Sequence, residues 1–113
     1  MTKSNINFDI ELDDQNVPEK ISWSASDKPG DSSDETNSIS VSLWDHEAKN
    51  TMRIDLWTKD MPVDEMKRFY IDSLGGMAQS VLNATGAEFM STEINNLCEK
   101  LVEYHKRELG VDK

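Results

Sequence analysis

The chain has 113 residues, a formal net charge of −10 and a hydrophobic content of 36%. This length suits a single domain with a modest core. The negative charge opposes binding to phosphate backbones and anionic lipid headgroups, so we expect neither nucleic acid nor a membrane surface as a partner. Because the sequence has one cysteine, Cys98, and no apolar run of about 18 residues, we expect a cytoplasmic protein without a membrane span or a disulfide.

The first part of the chain shows the two-residue periodicity of β-strands. Apolar and polar side chains alternate through residues 6–12 and again from Ile21 to Ala25, with turn residues at 13–16. This pattern predicts a β-hairpin. Residues 26–38 contain no aliphatic or aromatic side chain but include a proline and a glycine, which predicts a mobile loop.

Two further strands follow, around residues 39–43 and 52–56, where apolar residues again alternate with polar ones. Leu43 and Ile54 must both face the core, so the connecting loop must hold an even number of residues. A slip of one residue would turn every apolar side chain outward.

The sequence leaves two registers open for this second hairpin. A two-residue turn at 48–49 would place Trp44 opposite Arg53. A two-residue turn at 49–50 would place Trp44 opposite Asp55 instead.

The first helix is predicted to begin near Pro62, because a proline suits the first turn, with Asp60 as a candidate cap. Asp64 and Glu65 are favourable near a helix N-terminus. The apolar stripe recurs at spacings of three and four residues. It comprises Val63, Met66, Phe69, Tyr70, Leu74, Met77 and Val81.

Gly75 and Gly76 interrupt this helix, and each costs about 1 kcal/mol relative to alanine in a helix interior. One interpretation is that another group approaches the helix closely there. The alternative is a local kink that tertiary packing tolerates.

A second helix is predicted after a capping box formed by Thr85 and Glu88 around Gly86. It continues to about Leu109, and Gly110 ends it. Its predicted apolar stripe comprises Met90, Ile94, Leu97, Leu101 and Tyr104.

These elements predict an α+β fold with a four-stranded antiparallel meander sheet and two C-terminal helices packed on one face. We expect a single domain over residues 1–113. The first four or five residues and residues 111–113 are expected to be flexible.

The uncovered face of the predicted sheet carries serines, carboxylates and two tryptophans. We predict that Trp44, Arg53, Asp55 and Trp57 form a binding site on it, because exposed aromatics beside an arginine are typical of interface anchors. The alternative is that both indoles only cover the sheet and stack on Arg53.

No arrangement of residues indicates catalysis or metal binding. Asp45, His46 and Glu47 are neighbours in a strand or turn, where successive side chains point apart and cannot converge on one ion. Phosphate-binding glycine loops and nucleophile motifs are absent from the sequence. We therefore expect no enzymatic activity, no cofactor and no metal.

Several segments together resemble the gliding-motility-associated protein C (GldC) family. They are NVPE at 16–19 with Ile21 and Trp23, the run from Trp44-Asp45 to Asn50-Thr51, and RIDLWTKDMPVDEM at 53–66. The resemblance covers most of the chain. The chain departs from the family pattern in a longer acidic loop around residues 31–35 and in the Gly75-Gly76 pair.

The resemblance implies a small accessory protein linked to gliding motility and its secretion apparatus, with a protein of that machinery as partner. It implies no enzymatic activity and no cofactor. The order of strands and helices is also similar in outline to the export chaperone SecB. That likeness leaves open a second possibility, a homo-oligomeric chaperone for secreted chains.

Overall fold

A computed structural model describes residues 2–27 and 34–110 of the chain. The chain divides into two compact units, Met1–Met61 with the strands and Pro62–Lys113 with the helices. The predicted α+β class, with antiparallel sheets and two C-terminal helices, is confirmed. Residue 1, residues 28–33 of the predicted loop and residues 111–113 lie outside the described residues.

Strands β1 (Ile6–Leu12) and β2 (Pro18–Ala25) form the predicted antiparallel hairpin. Its turn is built on one side chain. Asp13 Oδ1 accepts hydrogen bonds from the backbone N–H groups of Gln15 and Val17, at 2.8 and 3.0 Å. These bonds, together with the Lys59 ammonium, lower the pKa of the Asp13 carboxyl.

The polar segment before the second hairpin is not entirely loop. Residues Glu35–Thr36 form a short strand, β3, whose two residues pair with Ser22 and Ile21 of β2. The prediction of a loop over residues 26–38 is therefore wrong for these two residues, and also for Ser38, which begins the next strand. Pairing of backbone groups needs no apolar side chain, so the composition of the segment did not reveal it.

Strands β4 (Ser38–Asp45) and β5 (Asn50–Trp57) form a separate hairpin. The predicted four-stranded meander is thus wrong, because the strands form a three-stranded sheet, β1-β2-β3, and a two-stranded sheet, β4-β5. The break between β3 and β4 falls at Asn37, which belongs to neither strand.

Side chains of the bend at Asn37 bind backbone groups that a continuous strand would direct to its neighbours. Thr36 Oγ1 donates to the carbonyl of Ser38 at 3.0 Å and accepts from its N–H at 3.3 Å. The N–H of the buried Thr58 donates to the Asn37 carbonyl at 2.8 Å. The bend is therefore held by the Thr36 side chain and by the backbone of Thr58, which follows β5.

The β4–β5 hairpin is attached to β2 at its open end, where Ser38 faces Trp57. Before β4, strand β3 pairs with β2, and after β5 the N–H of Lys59 donates to the Pro18 carbonyl at 3.0 Å. The Lys59 ammonium also lies 3.0 Å from Asp13 Oδ2 and 3.2 Å from Glu19 Oε1. Hydrogen bonds to Asp13 first, then to Glu19, raise the pKa of Lys59.

The helices span Val63–Thr85 (α1) and Glu88–Leu109 (α2), and α2 ends before Gly110 as predicted. Gly86 and Gly110 adopt left-handed conformations, with φ of 73° and 74°, directly after α1 and α2. The predicted N-caps are wrong. Pro62 precedes α1 and Ala87 precedes α2, and neither helix has a side-chain cap, so Asp60 and the Thr85–Glu88 capping box do not fill that role.

The two helices lie antiparallel, since Lys67 near the start of α1 bonds Glu108 near the end of α2. The least exposed residues of α2 recur at spacings of three and four. They are Ser91, Ile94, Cys98, Leu101 and His105. The Cys98 thiol lies 3.8 Å from the Ile71 carbonyl of α1, which identifies this row as the seam between the helices.

The predicted apolar stripes are therefore only partly correct. Ile94 and Leu101 face the seam, but three members of each stripe are exposed. On α2 this exposed row comes one residue before seam residues, and on α1 Tyr70 and Met77 come one residue before Ile71 and Ala78, which are less exposed. In an antiparallel pair these rows lie on one side of the seam. They contain Val63, Tyr70 and Met77 on α1, and Met90, Leu97 and Tyr104 on α2. The predicted packing of the helices on a sheet stays a prediction.

Candidate binding face on the β4–β5 hairpin

The register of the β4–β5 hairpin differs from both predicted registers. Trp44 lies opposite Thr51, and Asp45 pairs with Asn50, which leaves a four-residue turn at 46–49. The predicted even loop length is confirmed, because Leu43 pairs with Met52 on one face of the hairpin.

Asp45 closes this turn. Its Oδ1 atom accepts hydrogen bonds from the N–H groups of Glu47 and Ala48, at 2.8 and 3.0 Å. The N–H of Lys49, which has a φ of 59°, donates to the Asp45 carbonyl at 2.9 Å. The bonds from Ala48 and then Glu47 lower the pKa of the Asp45 carboxyl, because they favour its charged form.

One face of the hairpin carries all four residues predicted to bind. Along this face the cross-strand pairs are Ser38 with Trp57, Ser40 with Asp55, Ser42 with Arg53, and Trp44 with Thr51. We call this surface the tryptophan face. Its two indoles lie at opposite ends, about 20 Å apart along the strands, because six residues separate their rows.

The centre of the tryptophan face is a hydrogen-bonded polar cluster. Arg53 donates from Nε and Nη2 to the two carboxylate oxygens of Asp55, at 3.2 and 2.9 Å. It also donates to the hydroxyls of Ser42 and Ser40, each at 2.5 Å. The Ser40 hydroxyl donates to Asp55 Oδ1 at 2.7 Å.

This cluster fixes charge and geometry together. Hydrogen bonds from Arg53 and then Ser40 lower the pKa of the Asp55 carboxyl, so the arginine and the aspartate stay oppositely charged. The planar guanidinium fork suits a carboxylate in a way that a lysine ammonium cannot. The middle of the face is therefore polar, close to neutral and ordered.

The indoles at the two ends are exposed. Trp44 is 63% and Trp57 44% exposed, although tryptophan is usually buried for most of its surface. The structure thus puts two large apolar side chains in solvent on either side of an ordered polar centre.

The opposite face of the hairpin, which we expected to lie in the core, is also exposed at its outer end. Leu43, Met52 and Ile54 are 50%, 56% and 46% exposed. Sequence reasoning missed this second surface, because strict alternation identifies an apolar face but not whether anything covers it.

An apolar hollow of about 390 Å³ lies between the two sheets. It is lined by Ile6, Phe8, Trp23, Thr36, Ser38 and Ile39. Four of these side chains are apolar, and none is a carboxylate, a basic group or a cysteine. The hollow therefore offers contact area rather than groups for catalysis.

The helices hold a second cluster of ionisable groups. Lys67 Nζ lies 2.8 and 3.0 Å from the two Glu108 oxygens and 6.0 Å from the centre of the Tyr104 ring. The Lys67 ammonium lowers the pKa of Glu108, and Glu108 raises the pKa of Lys67. His105 is buried in the seam, with Nδ1 3.9 Å from Glu108.

Within residues 2–27 and 34–110, no three His, Cys, Asp or Glu side chains gather as metal ligands would. In the same part of the chain, neither helix has the length and apolar composition needed to cross a bilayer.

The fold and the hairpin define an acidic α+β protein with two exposed tryptophans on one face of its β4–β5 hairpin. The chain belongs to the family described as gliding motility-associated protein GldC-like, whose model matches residues 18–107. This match confirms the resemblance seen in the sequence and includes the whole tryptophan face. Comparison with curated proteins and comparison with solved structures each found no match.

Proposed function

We propose that this chain is a non-enzymatic adaptor of bacterial gliding motility that binds another protein of the motility or secretion machinery through its tryptophan face. Family membership supports the connection with gliding motility. The observation that carries the binding role is the exposure of Trp44 and Trp57 on one face of one hairpin.

The energetics favour the indoles as anchors of this interface. Burying an aromatic side chain removes a large apolar area from water, and tryptophan is among the residues that most often dominate binding energy. The polar centre would contribute less affinity, since Arg53 and Asp55 already satisfy each other. We infer that this centre sets orientation, while Trp44 and Trp57 supply most of the binding free energy.

The test is quantitative recovery of partners with the Trp44→Ala/Trp57→Ala double variant. Extracts of a gliding bacterium supply the partner, and its binding is then measured with purified proteins. We expect at least a tenfold loss of affinity, because one buried anchor commonly contributes about 2 kcal/mol. The same variant in the cell should slow colony spreading.

A matched control lies on the other side of the same hairpin. Met52→Ala/Ile54→Ala removes two apolar β5 side chains of similar exposure and should leave recovery unchanged. Circular dichroism and urea unfolding establish that each variant is folded. Equal partner binding by the folded tryptophan variant and the wild type would reject the adaptor proposal.

The exposed Leu43, Met52 and Ile54 support a second candidate, a chaperone that holds unfolded secretory chains. In that case the wild-type protein should delay aggregation of an unfolded client, and Leu43→Ser/Met52→Ser should weaken the effect. No delay by the wild-type protein would exclude this candidate. For both candidate functions we propose that the protein acts in the cytoplasm.

A further inference from the structure

The outer edge of β4 is an unpaired strand edge. Within the described residues β4 pairs with β5 alone, so every second residue of β4 points its backbone N–H and C=O away from the hairpin. At the first of these residues, Ser38, both groups already bond Thr36 Oγ1, so the open part of the edge begins at Ser40. The hairpin is attached to β2 at its open end, and a further strand along β4 would widen and stabilise its two-stranded sheet.

This edge lacks the features by which proteins protect their sheet edges. Residues 38–44 (SISVSLW) contain no charge, no proline and no glycine, and the β4–β5 register has no bulge. Charges, prolines and bulges are the usual devices that prevent another strand from pairing. A regular, uncharged edge of this length is therefore competent for pairing.

The other edge strands are protected. β1 carries Asp9 and Glu11, and its register shifts at Glu11. β5 carries Arg53 and Asp55. Among the strands described, β4 is thus the one whose edge combines length with the absence of charge.

A second copy of the chain is the occupant that fits this edge. Each copy carries a net charge of −10, so most of its surface repels another copy. An antiparallel pairing of residues 38–44 with themselves places no two charges opposite each other. The run has apolar residues at alternate positions, and three residues lie on each side of Val41. Two copies can therefore pair across a two-fold axis at Val41 with apolar residues opposite each other.

We propose that two copies of this chain associate by antiparallel pairing of their β4 strands, with Val41 on the two-fold axis. Ile39 then lies opposite Leu43 of the second copy, and Ser40 lies opposite Ser42. Apolar residues meet apolar residues because the register preserves the two faces. The two hairpins become one four-stranded antiparallel sheet.

This pairing also changes the spacing of the tryptophans. Ser38 pairs with Trp57 within one chain, and Ser38 lies opposite Trp44 of the second copy across the new interface. Strand β5 of one copy, which carries Trp57, is then two strand spacings, about 10 Å, from strand β4 of the second copy, which carries Trp44. The dimer would thus bring indoles of different copies closer than the two indoles of one copy.

The test combines the mass of the native protein with a site-directed cross-link. Light scattering of the unmodified chain at tens of micromolar should give twice the 12.8 kDa chain mass. In a Cys98→Ser background, Val41→Cys should form a disulfide-linked dimer on mild oxidation, because facing residues of paired strands lie within disulfide reach.

Ile54→Cys in the same background is the matched control, since Ile54 pairs with Val41 within the chain and shares its face. In the proposed dimer the two copies of residue 54 are three strand spacings apart, about 14 Å, which is too far for a disulfide. If Val41→Cys fails to fold, a mixture of Ile39→Cys and Leu43→Cys chains tests the same register through a disulfide between unlike chains.

A native mass of one chain overturns the proposal whatever the cross-links show. A dimer that cross-links at residue 54 but not at the β4 positions also overturns it, because another surface then joins the copies. These measurements need no motility partner, so loss of partner binding by the tryptophan variant and failure of the dimer are separate results.

Discussion

Asp45 shows how one carboxylate shapes the candidate site. Its side chain binds two backbone N–H groups of the four-residue turn, so β5 returns in the register that sets Trp44 opposite Thr51. Asp at the first position of a turn commonly makes such bonds. The charge of this one residue is therefore linked to the stability of the hairpin.

We predict that Asp45→Asn makes the protein less stable at neutral pH and that the difference from wild type shrinks as the pH falls. The folded-state pKa of Asp45 is lowered, so the unfolded chain takes up this proton first, near its ordinary pKa of about 3.9. The stabilisation is thus present above that value and is lost as the pH falls through the folded pKa. Urea unfolding between neutral pH and pH of about 3 measures it.

Asp14→Asn is the matched control for this titration, because Asp14 is an exposed aspartate in the other strand-connecting turn. Its effect on stability at neutral pH should be small, because the N–H groups of that turn are bound by Asp13 instead. A constant difference between wild type and Asp45→Asn over the whole pH range would contradict the assigned role of Asp45.

At the scale of the element, the glycine pair of α1 contrasts with the glycine that ends it. A Cβ atom built on Gly75 or Gly76 meets no other atom within 4 Å in the structure described. Both residues lie inside a continuous helix. Gly86, by contrast, has a φ of 73°, which a residue with a Cβ adopts only with strain.

We predict that Gly75→Ala and Gly76→Ala each raise the free energy of unfolding by about 1 kcal/mol, the difference between alanine and glycine in a helix interior. Gly86→Ala, the matched control, should lower it by about 1 kcal/mol because of the left-handed conformation. Urea unfolding at constant pH gives all three values. A destabilising Gly75→Ala would instead indicate a group packed against the helix at that position.

The hairpins show what the sequence determines and what it does not. Alternation correctly predicted strand β1 and which side chains of each strand share a face. The even loop length correctly placed Leu43 opposite an apolar residue of β5. The turn length depended on Asp45 binding two N–H groups, and an aspartate is equally compatible with shorter turns. The sheet splits where Thr36 Oγ1 binds both backbone groups of Ser38, and neither alternation nor composition reveals such a side-chain contact.

The helices show the same limit. Spacings of three and four residues identified both helices, and Gly110 was correctly predicted to end α2. Gly86 was predicted within a capping box, but it ends α1. The stripes did not show which side of each apolar face meets the other helix, because Ser91, Cys98 and His105 occupy the seam while Leu97 stays exposed. Small side chains at a seam allow close approach, and apolar patterning alone gives them little weight.

At the scale of the whole molecule, the dominant property is charge. With 22 acidic and 12 basic residues, the chain repels a second copy over distances comparable to the Debye length. The proposed β4 interface is uncharged, so its attraction comes from backbone hydrogen bonds and apolar contact. Self-association is then a balance between a short-range attraction that salt hardly changes and a longer-range repulsion that salt screens.

We predict that self-association becomes several-fold tighter as sodium chloride is raised, because the Debye length falls from about 10 Å at 0.1 M to about 3 Å at 1 M. Sedimentation equilibrium at several salt concentrations measures the dissociation constant. Glu47→Lys, in the exposed turn of the hairpin, changes the net charge from −10 to −8 and should reduce the salt dependence. Dissociation promoted by salt would instead mean that opposite charges hold the copies together, which the neutral β4 edge does not provide.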